Sequence, residues 1–194
     1  MVTKGLDLPN VTLVGVLSAD LMLDMPDFRA SERTFAQLLQ VSGRSGRADR
    51  PGEVLIQTYY PEHDVIAQAA AGDYQSFYDR EIASREPLSY PPFGRLVNIS
   101  LAGRNEKRLE GEALRFREVL AKRAADASVA ITPLGPAPCP MYFLRENYRR
   151  HLLIKTRQVQ GLVRMLTDWE AEQPRFGVPS KVKVVVDVDP DDMM

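Results

Sequence analysis

The chain has 194 residues, of which 44% are hydrophobic and 26% are charged, and its formal net charge is −1. This composition is typical of a globular protein with a packed core. It excludes a uniformly basic nucleic-acid-binding protein, so any such site must be a local patch. The single cysteine, Cys139, excludes an intrachain disulfide and a cysteine metal site. Because no apolar run approaches 18 residues, we expect a cytoplasmic protein without membrane contact.

The first predicted element is a strand that no other element precedes. Residues 11–17, VTLVGVL, form a valine-rich apolar run, which is typical of a strand buried on both faces of a parallel sheet. Because it starts so early, we expect the chain to be part of a longer protein. A helix with Ser31 as its N-cap and a second strand at 52–60 follow, which indicates one α/β crossover unit.

Two short helices, at about 62–71 and 74–86, are predicted next. They precede the proline-rich sequence PLSYPPFG, which is typical of a domain boundary. The sequence therefore predicts three parts, namely residues 1–60, a helical connector at 61–93 and a C-terminal domain at 94–194.

The C-terminal part predicts the element order βαββαβ. Strands are expected at 95–102, 129–135, 148–155 and 182–188, and helices at about 105–126 and 158–172. This is the split βαβ, or ferredoxin-like, arrangement, in which two helices cover one sheet face and leave the other open. By side-chain alternation the open face should carry Asn98, Ser100, Arg149, His151, Lys155, Lys183 and Asp187.

The sequence QLLQVSGRSGR places two arginines, Arg44 and Arg47, directly after the first predicted helix. Guanidinium groups are permanently charged and bind phosphate bidentately, so the pair suits the γ-phosphate of a nucleotide. Gly43 would let the backbone approach a ligand. Upstream, Gly5 would lie against phosphate and Asp7 would accept a hydrogen bond from a ribose hydroxyl. A solvated surface turn explains the arginine pattern alone equally well.

The sequence RENYRRHLLIKTR, residues 145–157, combines five cations and one acid with neighbouring aromatic side chains. Cations reach phosphates and aromatic rings stack on unpaired bases, so the segment suits single-stranded or forked DNA. A charged edge strand that resists aggregation explains the same residues equally well. The candidate DNA-binding residues are Arg145, Tyr148, Arg149, Arg150 and Lys155.

Two acids near the C-terminus, Asp187 and Asp189, share one strand face without a third ligand nearby. A strand that ends at Pro190 explains them better than a metal site, and we predict no bound metal in this chain.

Several motifs resemble those of a helicase family. The pattern QxxGRxxR at residues 40–47 resembles the sixth motif of superfamily 2 helicases, and GxDxP at residues 5–9 resembles the end of the fifth. The string TKGLDLPNVTLVGVLSAD, with YPPFGRLVNI, PLGPAPCP and VKVVVDVDP, resembles the bacterial replication-restart helicase family PriA (primosomal protein N-prime). The resemblance covers nearly the whole chain.

The resemblance implies an α/β part followed by an α+β part. Residues 1–60 would be the C-terminal part of a RecA-like second helicase lobe, with motifs V and VI, and the C-terminal domain would be similar in fold to ribosomal protein S10. Arg44 and Arg47 would be catalytic groups at the γ-phosphate, oriented by Gln40. By the same match, the nucleotide side of the cleft would include Gly5, Asp7 and Gly43.

The resemblance also implies an ATP-dependent 3′–5′ DNA helicase of replication restart and primosome assembly, cytoplasmic and nucleoid-associated. Its cofactors would be ATP and Mg²⁺, with zinc in the intact family member. Its partners would be forked or single-stranded DNA, the tail of single-stranded DNA-binding protein and other primosome proteins. This sequence has no Walker A loop, no acidic Mg²⁺ motif and no zinc-binding cysteine pairs. We therefore expect no ATP hydrolysis by this chain alone.

Two alternatives remain open at this point. One is a non-enzymatic module that binds DNA forks or docks proteins. The other is a stand-alone ferredoxin-like domain with a regulatory or small-molecule-binding role, which would show no salt-sensitive affinity for DNA.

Overall fold

A computed structural model of the chain describes residues 11–43 and 52–191. The chain divides into two compact units between Ser84 and Arg85. In the described residues, none of the helices is both long and apolar enough to cross a membrane.

The described residues of the first unit form two short parallel strands and four helices. The strands pair in register from Leu13 with Glu53 to Val16 with Ile56. In chain order the elements are β1 (Leu13–Val16), α1 (Asp20–Leu23), α2 (Ala30–Ser42), β2 (Glu53–Ile56), α3 (Asp64–Ala71) and α4 (Tyr74–Arg85). The N-cap of α2 is Arg29 rather than the predicted Ser31, and the carboxylate of Asp27, two residues earlier, accepts a hydrogen bond from the backbone N–H of Arg29.

The core of the first unit brings α2 together with α3 and α4. The rings of Phe35 and Phe77 stack with centroids 4.0 Å apart, and Leu38 and Ile66 are buried beside them. The two helices predicted as a connector therefore pack into this core. His63 begins α3, where its Nδ1 accepts the backbone N–H of Val65.

The two strands of the first unit are apolar on both faces, but only one face is covered. Val16 and Ile56 pack against the core, whereas Leu13 and Leu55 are more than half exposed. The prediction of a strand buried on both faces is therefore wrong for the described residues. The valine-rich run has the composition of a doubly covered strand, yet the described helices supply only one layer.

The buried carboxylate of Asp20 joins the loops that follow the two strands. It accepts hydrogen bonds from the hydroxyl of Thr58 and from the backbone N–H of Tyr59, at 3.0 Å for the latter. The Thr58 hydrogen bond is the main cause of the lowered pKa of Asp20.

The second unit is an α+β domain with a four-stranded antiparallel sheet. The strand order is β4-β5-β3-β6, so β3 and β5 are central and β4 and β6 are edge strands. The elements are β3 (Arg95–Gly103), α5 (Glu106–Asp126), β4 (Thr132–Leu144), β5 (Asn147–Thr156), α6 (Val159–Glu172) and β6 (Val182–Val188). The predicted order βαββαβ is found.

The helices α5 and α6 cover one face of this sheet. Val97, Ile99 and Leu101 of β3 are fully buried beneath them. The ring of Phe116 on α5 lies 4.9 Å from that of Trp169 on α6, so aromatic contacts join the two helices.

Strand β4 is longer than predicted, because it continues through PAPCPMYFL to Leu144. This segment was expected to connect two strands. A proline lacks the N–H needed for a ladder hydrogen bond, but an edge strand tolerates it, and β4 shifts register twice against β5. The hairpin closes through Arg145 and Glu146, both at positive φ, as in a two-residue turn.

The sheet face opposite the helices is less open than predicted. Leu96 lies on this face and is only 1% exposed. Its cross-strand partner Lys155 donates a hydrogen bond to the carbonyl oxygen of Leu88 at 2.7 Å and lies 4.1 Å from the ring centroid of Tyr90. The segment 86–94 therefore covers this end of the face.

The last strand is tied to the first strand of the domain through Asp189. Its carboxylate accepts two hydrogen bonds from the Arg95 Nε, at 2.9 and 2.8 Å, and a longer one from the Leu96 N–H. Asp189 thus ends the strand, and no group of three or more His, Cys, Asp or Glu suited to a metal is found in the described residues.

Candidate nucleic-acid interface

Of the six residues predicted at the nucleotide site, the structure describes two, Gln40 and Gly43. Arg44, Arg47, Gly5 and Asp7 fall outside the described residues. Gln40 is exposed in the last turn of α2, which leads towards the two arginines. Their assignment to a nucleotide site stays a prediction.

Gly43 is the C-cap of α2, with φ −69° and ψ 0°. A side chain accommodates this right-handed conformation, and an added Cβ would lie 3.7 Å from the nearest backbone oxygen, an ordinary contact. The fold of α2 therefore does not require glycine here.

The basic hairpin is formed by β4 and β5, and its side chains divide between the two sheet faces. Arg150 lies on the helix-covered side, where its guanidinium pairs with Glu110 of α5 at 3.1 Å and its side chain is only 11% exposed. Tyr148 points to the same side, packs against the domain core and contacts the ring of Phe143. Both residues are predicted DNA contacts whose side chains are already engaged within the domain.

Lys155 lies on the other face, as the alternation predicts, but its ammonium group is already bound by the segment 86–94, through Leu88 and Tyr90. Burial beneath this segment lowers the pKa of Lys155. Among the four cationic candidates, Arg145 in the turn is exposed. Arg149 on this face is half-buried, and among the described residues it has no ion pair and only a long contact of 3.5 Å with the Met141 carbonyl oxygen.

Arg149 forms a cationic row with Lys183. Ala102 of β3 pairs with Arg149 on one side and with Lys183 of β6 on the other, so all three share one face. With neighbouring strands 4.7–4.9 Å apart, the two cations flank the small alanine at about 10 Å between their Cα atoms. We call this set the cationic row.

Apolar side chains lie beside the cationic row on the same face. Leu134 pairs with Leu153, and Val185 pairs with Ser100, which also pairs with His151. Leu134 and Val185 are 41% and 43% exposed. Asp187 adds one acid two positions further along β6. Cations next to exposed apolar groups suit phosphates and the apolar faces of unstacked bases, although these side chains are aliphatic rather than aromatic stacking platforms.

Two polar atoms on this face lack hydrogen-bond partners among the described residues, namely Asn98 Oδ1 and His151 Nδ1. Burial lowers the pKa of His151, and the positive charge of Arg149 lowers it further. His151 is therefore neutral at pH 7 and adds no charge to the cationic row.

The lowered pKa of His151 predicts a pH dependence of stability. In the unfolded chain the imidazole takes up a proton below its ordinary pKa of about 6.5, whereas the folded chain resists protonation until a lower pH. We therefore expect the second unit to lose stability as the pH falls from 7.5 to 5.5, and His151→Gln to reduce that loss. Urea unfolding followed by the fluorescence of Trp169, the only tryptophan, measures this unit.

His63→Gln is the matched control, since His63 lies in the first unit. Its substitution should leave the pH dependence of the Trp169 transition unchanged. An equal loss of stability in wild-type chain and His151→Gln would contradict the assigned cause.

The residues predicted from the sequence to bind DNA include no cation outside the hairpin. Lys183 was placed on the open face by alternation, but only the strand order brings it beside Arg149. Lys183 lies beside Arg149 because β3 pairs with both β5 and β6, and this pairing cannot be read from the sequence of the hairpin.

The fold thus defines an α+β domain whose exposed sheet face carries a cationic row, joined to a unit with a parallel strand pair. A family model described as the primosomal protein N C-terminal domain matches residues 86–191, and the chain belongs to this PriA family. This confirms the resemblance found in the sequence. The match starts at the second residue of the second unit.

Curated relatives match the whole chain. It is 40% identical over 190 residues to the replication restart protein PriA of Synechocystis sp. and 40% identical over 195 residues to that of Bacillus subtilis. It is 37% identical over 193 residues to that of Treponema pallidum. These alignments cover 98%, 100% and 98% of this chain but only 22%, 24% and 28% of the relatives.

Proposed function

We propose that this chain is part of a replication restart helicase and that its second unit binds single-stranded or forked DNA. The names of the relatives support a role in replication restart. The observation that carries the DNA-binding proposal is the cationic row, in which Arg149 and Lys183 flank Ala102 beside exposed apolar side chains.

The first unit supports the proposal that the chain is part of a helicase. Its two parallel strands have α1 and α2 between them in the chain, and Leu13 and Leu55 leave one sheet face apolar and exposed. Two strands of a larger RecA-like sheet would have this character. In that lobe Arg44 and Arg47 would stabilise charge on the transferred phosphoryl group of ATP, and Gln40 would orient them. ATP and Mg²⁺ would be held mainly by groups beyond this chain.

The proposed partners follow from these two parts. Forked DNA would contact the second unit. Primosome proteins and the tail of single-stranded DNA-binding protein would dock on surfaces other than the cationic row and the parallel strand pair. In the cell such a protein would act in the cytoplasm at the nucleoid.

Fluorescence anisotropy of labelled single-stranded and forked DNA tests the DNA-binding proposal. We expect affinity that falls steeply with salt, and a further loss of about tenfold in Arg149→Ala/Lys183→Ala, because two phosphate contacts are removed. Arg150→Ala is the matched comparison and should have a smaller effect on affinity, since Arg150 pairs with Glu110 on the other face. Absence of binding at low salt, or equal affinity of wild-type chain and double variant, would contradict the proposal.

A further inference from the structure

We propose that a cationic cleft at one end of the sheet binds phosphates of the same DNA strand that crosses the cationic row. This inference rests on the proposed function and extends it to residues outside the hairpin. The cleft has a volume of about 560 Å³. Its polar lining consists of Arg104, Asn105, Arg108, Asn147 and Lys181.

The strand order brings these residues together from three distant parts of the chain. Arg104 directly follows β3, and Lys181 directly precedes β6. Gly103 pairs with Tyr148 on one side and with Val182 on the other, so the ends of β3, β5 and β6 meet here. A concave surface made at the common end of three strands is fixed in position by the sheet.

The charges of the cleft are largely unopposed. Arg104 pairs with Glu146 at 3.5 Å, but both side chains are about 80% exposed, so the pair is weak. For Arg108 and Lys181, no ion pair exists among the described residues. The nearby acid Glu106 accepts a hydrogen bond from the Tyr142 hydroxyl, which raises the pKa of Tyr142 to about 12.

The cleft continues the cationic row. Lys181 lies two residues before Lys183, and Arg104 two residues after Ala102, so each step is about 7 Å along a strand. The N-terminus of the 21-residue helix α5 lies at the same place and adds partial positive charge, which the carboxylate of Glu106 in its first turn opposes. A flexible polyanion such as a DNA strand can follow both parts, with its bases over the apolar side chains and its phosphates at the cations.

Removing the cleft cations tests this inference in the whole 194-residue chain. Arg108→Ala/Lys181→Ala is compared with Arg117→Ala/Lys122→Ala, which also removes one arginine and one lysine, from exposed positions further along α5. The probe is a fluorescein-labelled 20-residue oligothymidylate titrated at several salt concentrations. Trp169 fluorescence confirms that each variant is folded.

We expect the cleft variant to bind about tenfold more weakly at low salt. The salt slope of its affinity should fall in magnitude by about 1.4, since each phosphate contact on a single strand contributes about 0.7. The control variant should stay within about twofold of the wild-type affinity. Sodium phosphate and sodium chloride at equal ionic strength should displace the DNA equally.

Four other results overturn the inference, and they are distinguishable. If the wild-type chain does not bind DNA, the proposed function fails and the cleft inference falls with it. If Arg149→Ala/Lys183→Ala weakens binding but the cleft and control variants behave alike, the function stands and only the cleft inference fails. Cleft-dependent binding of inorganic phosphate, with DNA affinity that is unchanged in the cleft variant, would assign the cleft to free phosphate. Tighter, cleft-dependent binding of a labelled polyglutamate peptide would assign it to an acidic protein segment.

Discussion

Replacing Phe116 by alanine should destabilise the second unit by about 3–5 kcal/mol, the usual cost of removing a buried aromatic side chain. Phe116 is 2% exposed, and its ring contacts Trp169 at 4.9 Å and Phe176 at 5.6 Å. The substitution therefore leaves a cavity where α5, α6 and the turn after α6 meet. Urea unfolding followed by Trp169 fluorescence measures the change, because the only tryptophan lies in this cluster.

Leu114→Ala is the control for this prediction. Leu114 lies on the same helix but is 46% exposed, so its substitution should change the free energy of unfolding by no more than about 0.5 kcal/mol. A loss below about 1 kcal/mol in Phe116→Ala would mean that the aromatic cluster does not hold the two helices on the sheet.

The second large effect is expected for ATP hydrolysis in a full-length protein that contains this chain. Arg47→Ala, or Arg44→Ala, should reduce DNA-stimulated hydrolysis by about 10³-fold, the low end of the effect of arginine-finger residues. On the proposed assignment of these arginines, the substitution would remove positive charge at the γ-phosphate in the transition state. Steady-state phosphate release in the presence of saturating single-stranded DNA measures it.

Arg117→Ala in the same full-length protein is the matched control, because Arg117 is an exposed arginine of the second unit. Its hydrolysis rate should remain within about twofold of the wild-type rate. Wild-type rates of hydrolysis in Arg44→Ala and Arg47→Ala would contradict their assignment to the γ-phosphate.

The elements of the second unit were predictable because their hydrophobic periods are regular. The alternation of Val97, Ile99 and Leu101 sets the core face of β3, and the pairing register with β5 and β6 follows the same faces. The predicted helix at 105–126 agrees with α5 at Glu106–Asp126. Local pattern suffices where one face of an element is apolar along its length.

What escaped prediction depends on contacts between residues far apart in sequence. The continuation of β4 through three prolines is possible because it is an edge strand, and strand order determines the edge. Coverage of Leu96 by segment 86–94 depends on the contacts of Lys155 with Leu88 and Tyr90.

The candidate site shows the same limit. The composition identifies the hairpin as a region rich in cations, but it does not show that Arg149 and Arg150 lie on opposite faces of the sheet. Adjacent strand residues point to opposite faces, and only Arg150 meets an acid on the helix layer. Lys181 and Arg108 lie 73 residues apart, so no window of sequence displays the cleft that they share.

We propose that the second unit holds DNA on its exposed sheet face. The most direct test is to map amide chemical-shift changes by NMR in the isotope-labelled chain on addition of an oligothymidylate at low salt. We expect changes concentrated at Ala102, Arg149 and Lys183 and extending to Arg104 and Lys181. Changes confined to the first unit, or to the helix-covered face around Arg150, would contradict it.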